Sequence, residues 1–192
     1  MSKNFLNDLQ IGKLGEELWA GWLIHMKDGE PEVPHKKLDW DVYDKKSGIY
    51  YEVKNDHKAY WWAKRSNKPV NFFLEYETVK DKEPCGIMKT SASYLVYIIK
   101  NTQDLHIAYT FDLEKLRAYL WEAHEKNRFR IATPKLNGVD NVRGWTPPVK
   151  TLTTEDKDKS GIIKVCLLPM SLREKYLEYE KLLQLHEEAS SD

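Results

Sequence analysis

The most distinctive chemistry in the sequence lies in residues 38–56, LDWDVYDKKSGIYYEVKND. Apolar or aromatic residues alternate with charged residues on both sides of a short Asp-Lys-Lys-Ser-Gly break, which predicts a β-hairpin. The charged positions are Asp39, Asp41, Glu52 and Lys54, where a half-buried hairpin ordinarily carries Thr, Val or Ser. Three carboxylates and one amine on a single hairpin therefore need a chemical explanation.

The spacing of the two segments predicts how the strands pair. A loop at residues 45–48 places Asp41 opposite Glu52 and Asp39 opposite Lys54, with all four side chains on one face of the hairpin. The same register pairs Val42 with Tyr51, Tyr43 with Tyr50 and Asp44 with Ile49, and it puts Trp40, Val42, Tyr51 and Val53 on the opposite face.

Two carboxylates that face each other on a sheet repel and need a compensating cation. Mg²⁺ prefers oxygen ligands and usually takes one or two carboxylates, completing its shell with water and phosphate oxygens. Asp41, Glu52 and the carbonyl of Val53 could supply that set. Lys54 could hold a water or hydroxide near the ion and neutralise charge in the transition state. This combination predicts the hydrolysis of phosphodiester bonds.

The same residues resemble the PD-(D/E)XK nuclease superfamily, in which an Asp is followed by an acid-x-Lys triplet. Asp41 and "YEVKND" match that signature, although Trp40 replaces the Pro of the family pattern. The segments "VNFFLEYE" and "CGIMKTSASY" follow in the order typical of small phage-encoded members. The resemblance covers about residues 38–97. It implies an α/β, restriction-endonuclease-like fold with a mixed central β-sheet flanked by helices, and a Mg²⁺-dependent DNA nuclease in which Mn²⁺ substitutes.

The resemblance also implies two further carboxylates. The segment "GKLGEELW" looks like the superfamily's "GE" helix, so Glu16 is a candidate metal ligand, with Glu17 as its rival. Glu75 is a candidate for the metal shell or for positioning a water. The alternative for the whole set is a solvated charged surface, which is the usual state of such residues. The chain contains four acid-x-Lys triplets, and only the one at Glu52 lies in an apolar strand with an acid predicted opposite.

Nucleic-acid contacts are predicted in the run "HKAYWWAKRSNK", which mixes aromatic and basic residues suited to stacking on unpaired bases and gripping phosphates. The candidates are Lys58, Trp61, Lys64 and Arg65. Core packing or an oligomer contact explains the run equally well. Lys89, with Thr90 and Ser93, opens a predicted helix whose free amides could meet a phosphate, and plain helix capping is the alternative.

The elements expected to position these residues follow from periodicity. Residues 4–26 predict a first helix, interrupted near Gly12, and residues 70–79 a third strand that completes an antiparallel meander with the hairpin. "YLVYII" predicts a strand buried on both faces and paired with "HIAYTF", and Asp112 is the predicted N-cap of the next helix. "FRIAT" and "IIKVCLL" predict strands, and "SLRE" opens a final helix.

Composition limits the remaining possibilities. The 192 residues predict one domain, with a nuclease core at about 4–110 and an elaboration at about 111–192. Thirty basic and thirty acidic residues exclude a strongly basic DNA binder, although nine of the basic residues fall within 36–68. With no signal-like or membrane-spanning segment we expect a cytoplasmic protein. A non-cleaving nucleic-acid-binding module and a metal-dependent nuclease acting on RNA stay open as alternatives, and oligomeric state is not readable.

Overall fold

A computed structural model describes residues 3–34, 38–101, 103, 105–136 and 139–189, with side chains for all of these except 3–8, 135–136, 139–140 and 186–189. The helices are α1 Lys3–Lys27, α2 Ala59–Ser66, α3 Leu113–Glu125 and α4 Ser171–Ala189. The strands are β1 Pro31–Glu32, β2 Val42–Asp44, β3 Ile49–Asp56, β4 Leu74–Thr78, β5 Tyr94–Lys100, β6 His106–Asp112, β7 Ile131–Ala132, β8 Lys135–Leu136, β9 Val139–Asp140, β10 Val142–Trp145 and β11 Ile162–Leu168.

The molecule is built around a mixed six-stranded sheet in the order β1-β2-β3-β5-β6-β11. Strands β3 and β5 run parallel, and the other neighbours are antiparallel. The predicted α/β class, with a mixed central sheet flanked by helices, is therefore confirmed. Residues after 110 also belong to this sheet and its cover, since β11 is an edge strand and α4 packs on α1.

The predicted antiparallel meander is wrong. Strand β4 lies in a second, three-stranded sheet with β10 and β7, and β5 takes the place beside β3. The physical reason is burial: Leu95 to Ile99 are completely buried on both faces, which only an interior strand provides. Strand β4 buries only one face, because Leu74 and Tyr76 are covered while Glu75 and Glu77 are partly accessible.

Two apolar layers cover the central sheet. On the side we call the helical side, Leu18, Trp19 and Leu23 of α1 and Leu172 of α4 pack on Val53. On the opposite side, which we call the small-sheet side, α3 and the β4-β10-β7 sheet pack on alternate residues of the same strands, including Leu95, Tyr97, Ile99 and Phe111. Successive side chains of β3 therefore lie in two different layers, one on each side of the sheet.

Most of the other elements predicted from local sequence signals are present in the structure. The Asp112 carboxylate accepts the Lys115 N–H at 3.0 Å and caps α3. Helix α1 runs through Gly12 without the predicted interruption. The predicted helix at Lys89 is wrong, because only one 3₁₀ turn, Gly86–Met88, precedes an extended approach to β5. Among the described residues, no helix is long and apolar enough to cross a membrane.

Helices α1 and α4 approach so closely that one glycine is required between them. A Cβ on Gly21 would lie 1.8 Å from the backbone oxygen of Leu172. Beside this contact the buried Glu17 carboxylate accepts the Arg173 Nε–H at 2.6 Å. Glu17 is therefore committed to holding the two helices together.

Gly21→Ala should lower the free energy of unfolding by about 3 kcal/mol, because the added methyl group forces α1 away from α4. Gly12→Ala is the matched control in the same helix: its Cβ would meet nothing within 4 Å, and a better helix former there should raise stability by about 0.5–1 kcal/mol. Urea unfolding of both variants measures the difference, and equal effects would show that the helices do not pack as described.

Candidate active site

Asp41 immediately precedes β2, at the point where β3 continues without β2 beside it. The predicted pairs Val42–Tyr51, Tyr43–Tyr50 and Asp44–Ile49 are confirmed. Before Val42 the regular register stops: the Asp41 N–H donates to the Tyr51 carbonyl at 2.9 Å, and the Asp41 carboxylate accepts the Val53 N–H at 2.8 Å. A side chain thus satisfies this amide of β3. The predicted continuation of the ladder, with Asp41 directly opposite Glu52, is therefore wrong, although the two residues remain neighbours.

Two other expectations fail for the same reason. Because β2 does not reach residue 40, Trp40 leaves the face of Val42 and Val53 and packs on the small-sheet side, 5.2 Å from the Tyr50 ring. Asp39 also lies outside the strand, where its carbonyl accepts the Thr90 hydroxyl and the Ser91 N–H. Lys54 pairs with Glu75 instead of the predicted Asp39.

Glu16, Asp41 and Glu52 are electrostatically coupled through Asp41. Burial, and then the charge of Asp41, raises the pKa of Glu52 to about 7. The same two causes raise the pKa of Glu16 to about 7. The Val53 N–H that donates to the Asp41 carboxylate points along the plane of the sheet. Asp41 therefore lies beside β3, between Glu16 on the helical side and Glu52 on the small-sheet side. Of the two candidate carboxylates on α1, Glu16 faces the hairpin and Glu17 is bound to Arg173.

The carboxylates of the site are the kind of ligand that a hard cation prefers, but they do not surround a metal position. Within the described ranges, no three His, Cys, Asp or Glu side chains are arranged to hold a metal ion together. Mg²⁺ usually takes only one or two protein carboxylates, so Asp41 and Glu52 fit it in type and number. Ligation by Glu16 and by the Val53 carbonyl stays a prediction. Burial and the charge of Asp41 favour the protonated forms of Glu16 and Glu52 over their carboxylates.

Without a metal ion, the raised pKa of Glu52 should cost stability at high pH. The ordinary pKa of a glutamate is 4.5, and in the folded protein that of Glu52 is about 7. Stability from this group is therefore complete below about pH 4.5 and is lost as pH rises through 7. In EDTA, Glu52→Gln should raise the free energy of unfolding over wild type by on the order of 1–3 kcal/mol at pH 8, and little at pH 5.

Urea titrations at several pH values measure this difference. Asp39→Asn is the control, because Asp39 is exposed and lies outside the strand. Parallel pH curves for wild type and Glu52→Gln would contradict the burial and repulsion assigned to Glu52.

Lys54 and Glu75 form an ion pair that joins the two sheets. The Lys54 Nζ lies 2.7 Å from Glu75 Oε1 and 5.1 Å from the centre of the Phe73 ring. Lys54 lowers the pKa of Glu52, and Glu75 raises it. The predicted antiparallel meander would have placed Glu75 next to the hairpin. Glu75 lies near the site for a different reason, because β4 packs over the small-sheet side.

A loop after β4 assembles the site, and its anchor on α3 was missed by sequence reasoning. Arg117 donates from Nε to the Ile87 carbonyl and from Nη2 to the Thr90 carbonyl, both at 2.6 Å. Thr90 lies close enough to Glu52 to lower its pKa, while the Thr90 hydroxyl donates to the Asp39 carbonyl at 2.6 Å. Arg117 thus secures the loop that touches both arms of the hairpin. Its only sequence signal was a basic residue on the inner face of an amphipathic helix.

If the predicted phosphodiester hydrolysis takes place at this site, Arg117→Lys should lower its rate roughly tenfold while KM and the free energy of unfolding change little, because one ammonium cannot hold both carbonyls in the guanidinium geometry. Arg128→Lys is the control, since Arg128 pairs with Asp156 and touches neither carbonyl. A loss of stability that matches the loss of rate would reduce Arg117 to a purely structural role.

The predicted nucleic-acid contacts divide into two places. Lys58 immediately precedes α2, which carries Trp61, Lys64 and Arg65, and the Arg65 guanidinium lies 5.1 Å from the centre of the Trp61 ring. Lys89 is exposed on the loop near the site. The expected phosphate contact through free helix amides is wrong, because the N–H groups of residues 89–91 and 93 donate to backbone carbonyls. Lys36 and Lys37, part of the predicted basic surplus, lie outside the described residues.

Comparison of the chain with protein-family models, with curated proteins and with solved structures finds no match in any of the three. The likeness to PD-(D/E)XK nucleases therefore stays a prediction based on Asp41 and the Glu52-Val53-Lys54 triplet. The function has to be argued from the geometry and charge of the site itself.

Proposed function

We propose that the protein is a Mg²⁺-dependent deoxyribonuclease that hydrolyses phosphodiester bonds of DNA, with Mn²⁺ as a substitute ion. The observation that carries the proposal is the placement of Asp41, Glu52 and Lys54 together beside the start of β2, where the pKa values of Glu16 and Glu52 are both raised. A restriction-endonuclease-like fold, a phage origin and action in the cytoplasm are parts of the same proposal.

The proposed roles follow from the position of each side chain. Mg²⁺, when bound, supplies positive charge to the phosphate and lowers the pKa of a bound water. Asp41 and Glu52 hold the ion as carboxylates. Lys54 orients the attacking water and neutralises charge as the phosphorus–oxygen bond to the leaving group breaks. Glu75 keeps the Lys54 ammonium in place through the 2.7 Å ion pair.

Two alternatives use the same site differently. A module that binds nucleic acid without cleaving it would not need two carboxylates close together beside a lysine, since their mutual repulsion destabilises the fold unless a cation is present. A nuclease acting on RNA would need the same ion and lysine, so substrate choice separates it from the proposal.

One assay tests the three functions together. The purified protein is incubated with circular single-stranded DNA, linear duplex DNA and RNA, each with Mg²⁺, Mn²⁺ or EDTA. Metal-dependent loss of DNA supports the proposal, and cutting of circles identifies an endonuclease. Cleavage of RNA alone supports the RNA alternative. No cleavage of any substrate, with retained binding, supports the non-cleaving module and overturns the proposal.

A further inference from the structure

A large groove lies where the two parallel strands of the central sheet end. Its volume is about 860 Å³, and it is lined by the first half of α1, by α2, by the ends of β3 and β5 and by the start of β6. Asn55 of β3 forms part of its wall and donates from Nδ2 to the Ile11 carbonyl at 2.9 Å, which holds α1 against the strand. The groove is therefore a built feature of the fold.

The lining of the groove combines aromatic surface with positive charge. Tyr60 and Trp61 provide rings, Lys64 and Lys100 provide ammonium groups, and none of the described residues that line it is acidic. This bias is notable in a chain with equal numbers of acidic and basic residues. An aromatic wall with lysines, and with no carboxylate among the described lining residues, suits a flat, anionic ligand.

The groove is connected to the candidate site through β3. Strand β2 pairs with β3 only at residues 49–51, whereas β3 continues past Glu52 and Lys54 to Asn55 and Asp56. Asn55 directly follows Lys54, and the two side chains enter opposite sides of the sheet. The part of β3 that has no β2 beside it therefore runs from the candidate site to the wall of the groove.

We propose that this groove binds unpaired nucleotides of the DNA substrate, so that the enzyme acts on strands with a single-stranded part. Bases within a duplex are stacked on each other and cannot enter an aromatic pocket, whereas unpaired bases stack on Trp and Tyr rings while lysines contact the phosphates. The inference rests on the proposed function for the identity of the ligand as DNA.

The test uses oligodeoxynucleotides in EDTA, so that binding is measured without cleavage. The probe is 2-aminopurine, whose fluorescence is quenched on stacking, placed in a three-nucleotide 5′ or 3′ overhang, in a single strand, or inside a blunt duplex. The wild-type protein should bind the overhang and single-strand probes at least about tenfold more tightly than the blunt duplex and quench them. Trp61→Leu should weaken that binding about tenfold.

Matched variants separate the groove from general charge and exposure. Trp121 on α3 is about as exposed as Trp61, 47% against 51%, and lies outside the groove, so Trp121→Leu should change binding less than twofold. Lys64→Ala should weaken binding severalfold, and Lys68→Ala, at an exposed lysine outside the groove, should not.

Two results would overturn binding in the groove while leaving the proposed nuclease activity intact. One is equal affinity of the wild-type protein for blunt and overhanging DNA, and the other is equal loss of binding in Trp61→Leu and Trp121→Leu. If 2-aminopurine fluorescence is quenched in a Trp61-dependent way but the protein cleaves no DNA, the result supports nucleotide binding in the groove and rejects the proposed nuclease activity.

Discussion

Asp41→Asn and Glu52→Gln should each lower the rate of DNA cleavage by at least about 10³-fold, to background in an ordinary assay. Both substitutions keep the shape of the side chain and remove its negative charge. An amide at position 41 can still accept the Val53 N–H, so the hairpin should keep its geometry. The loss then reports on the charge that holds Mg²⁺ and not on folding.

Calorimetric Mn²⁺ binding and cleavage rates check this prediction together. Both variants should bind Mn²⁺ much more weakly than wild type. Asp39→Asn serves as the control, because Asp39 is exposed and contributes its backbone carbonyl to the loop at Thr90. If Asp39→Asn lost Mn²⁺ binding while Asp41→Asn kept it, the carboxylate assigned as ligand would be the wrong one.

Lys54→Ala should keep metal binding and lose at least about 10²-fold in rate, as expected when an electrostatic stabiliser of a transition state is removed. A second effect follows from its neighbours. Lys54 lowers the pKa of Glu52 and Glu75 raises it, so removing the ammonium leaves Glu75 unopposed beside Glu52. The acidic limb of the pH–rate profile should therefore move to higher pH in Lys54→Ala.

The double variant Lys54→Ala/Glu75→Gln separates the two effects. Removing the charge of Glu75 should return the pH–rate profile towards that of wild type, because Glu52 then lacks the additional repulsion. The rate at high pH should stay about 10²-fold low, because the ammonium is still absent. Recovery of the rate itself would mean that Lys54 acts only by keeping Glu52 ionised and has no role in the transition state.

Among the candidate residues, those on the hairpin were the easiest to predict from sequence. Alternation with a period of two and a polar turn determine a hairpin register over a few residues, and that register was right from Val42 to Asp44. It failed at Asp41, because a carboxylate that accepts a β3 amide ends the ladder. The alternation of apolar and charged residues is the same with or without this hydrogen bond, so it does not show where the ladder ends.

The choice between Glu16 and Glu17 shows a different limit. Adjacent residues on a helix point about 100° apart, so one of them must face away from the hairpin. Which one does so depends on how α1 packs on α4, and Gly21 and Arg173 settle this through contacts about 150 residues apart in sequence. No pattern within α1 contains that information.

The sequence by itself determined the short-range features: the hairpin with its acid-x-Lys triplet, the doubly buried β5, the capped α3 and the final helix α4. These depend on side-chain periodicity and on hydrogen bonds between residues close in the chain. The tertiary structure alone decided that β5 lies beside β3, that Glu75 pairs with Lys54 and that Arg117 anchors the loop at Thr90. Those arrangements result from burying two faces of one sheet at once, and this depends on which distant apolar surfaces fit together.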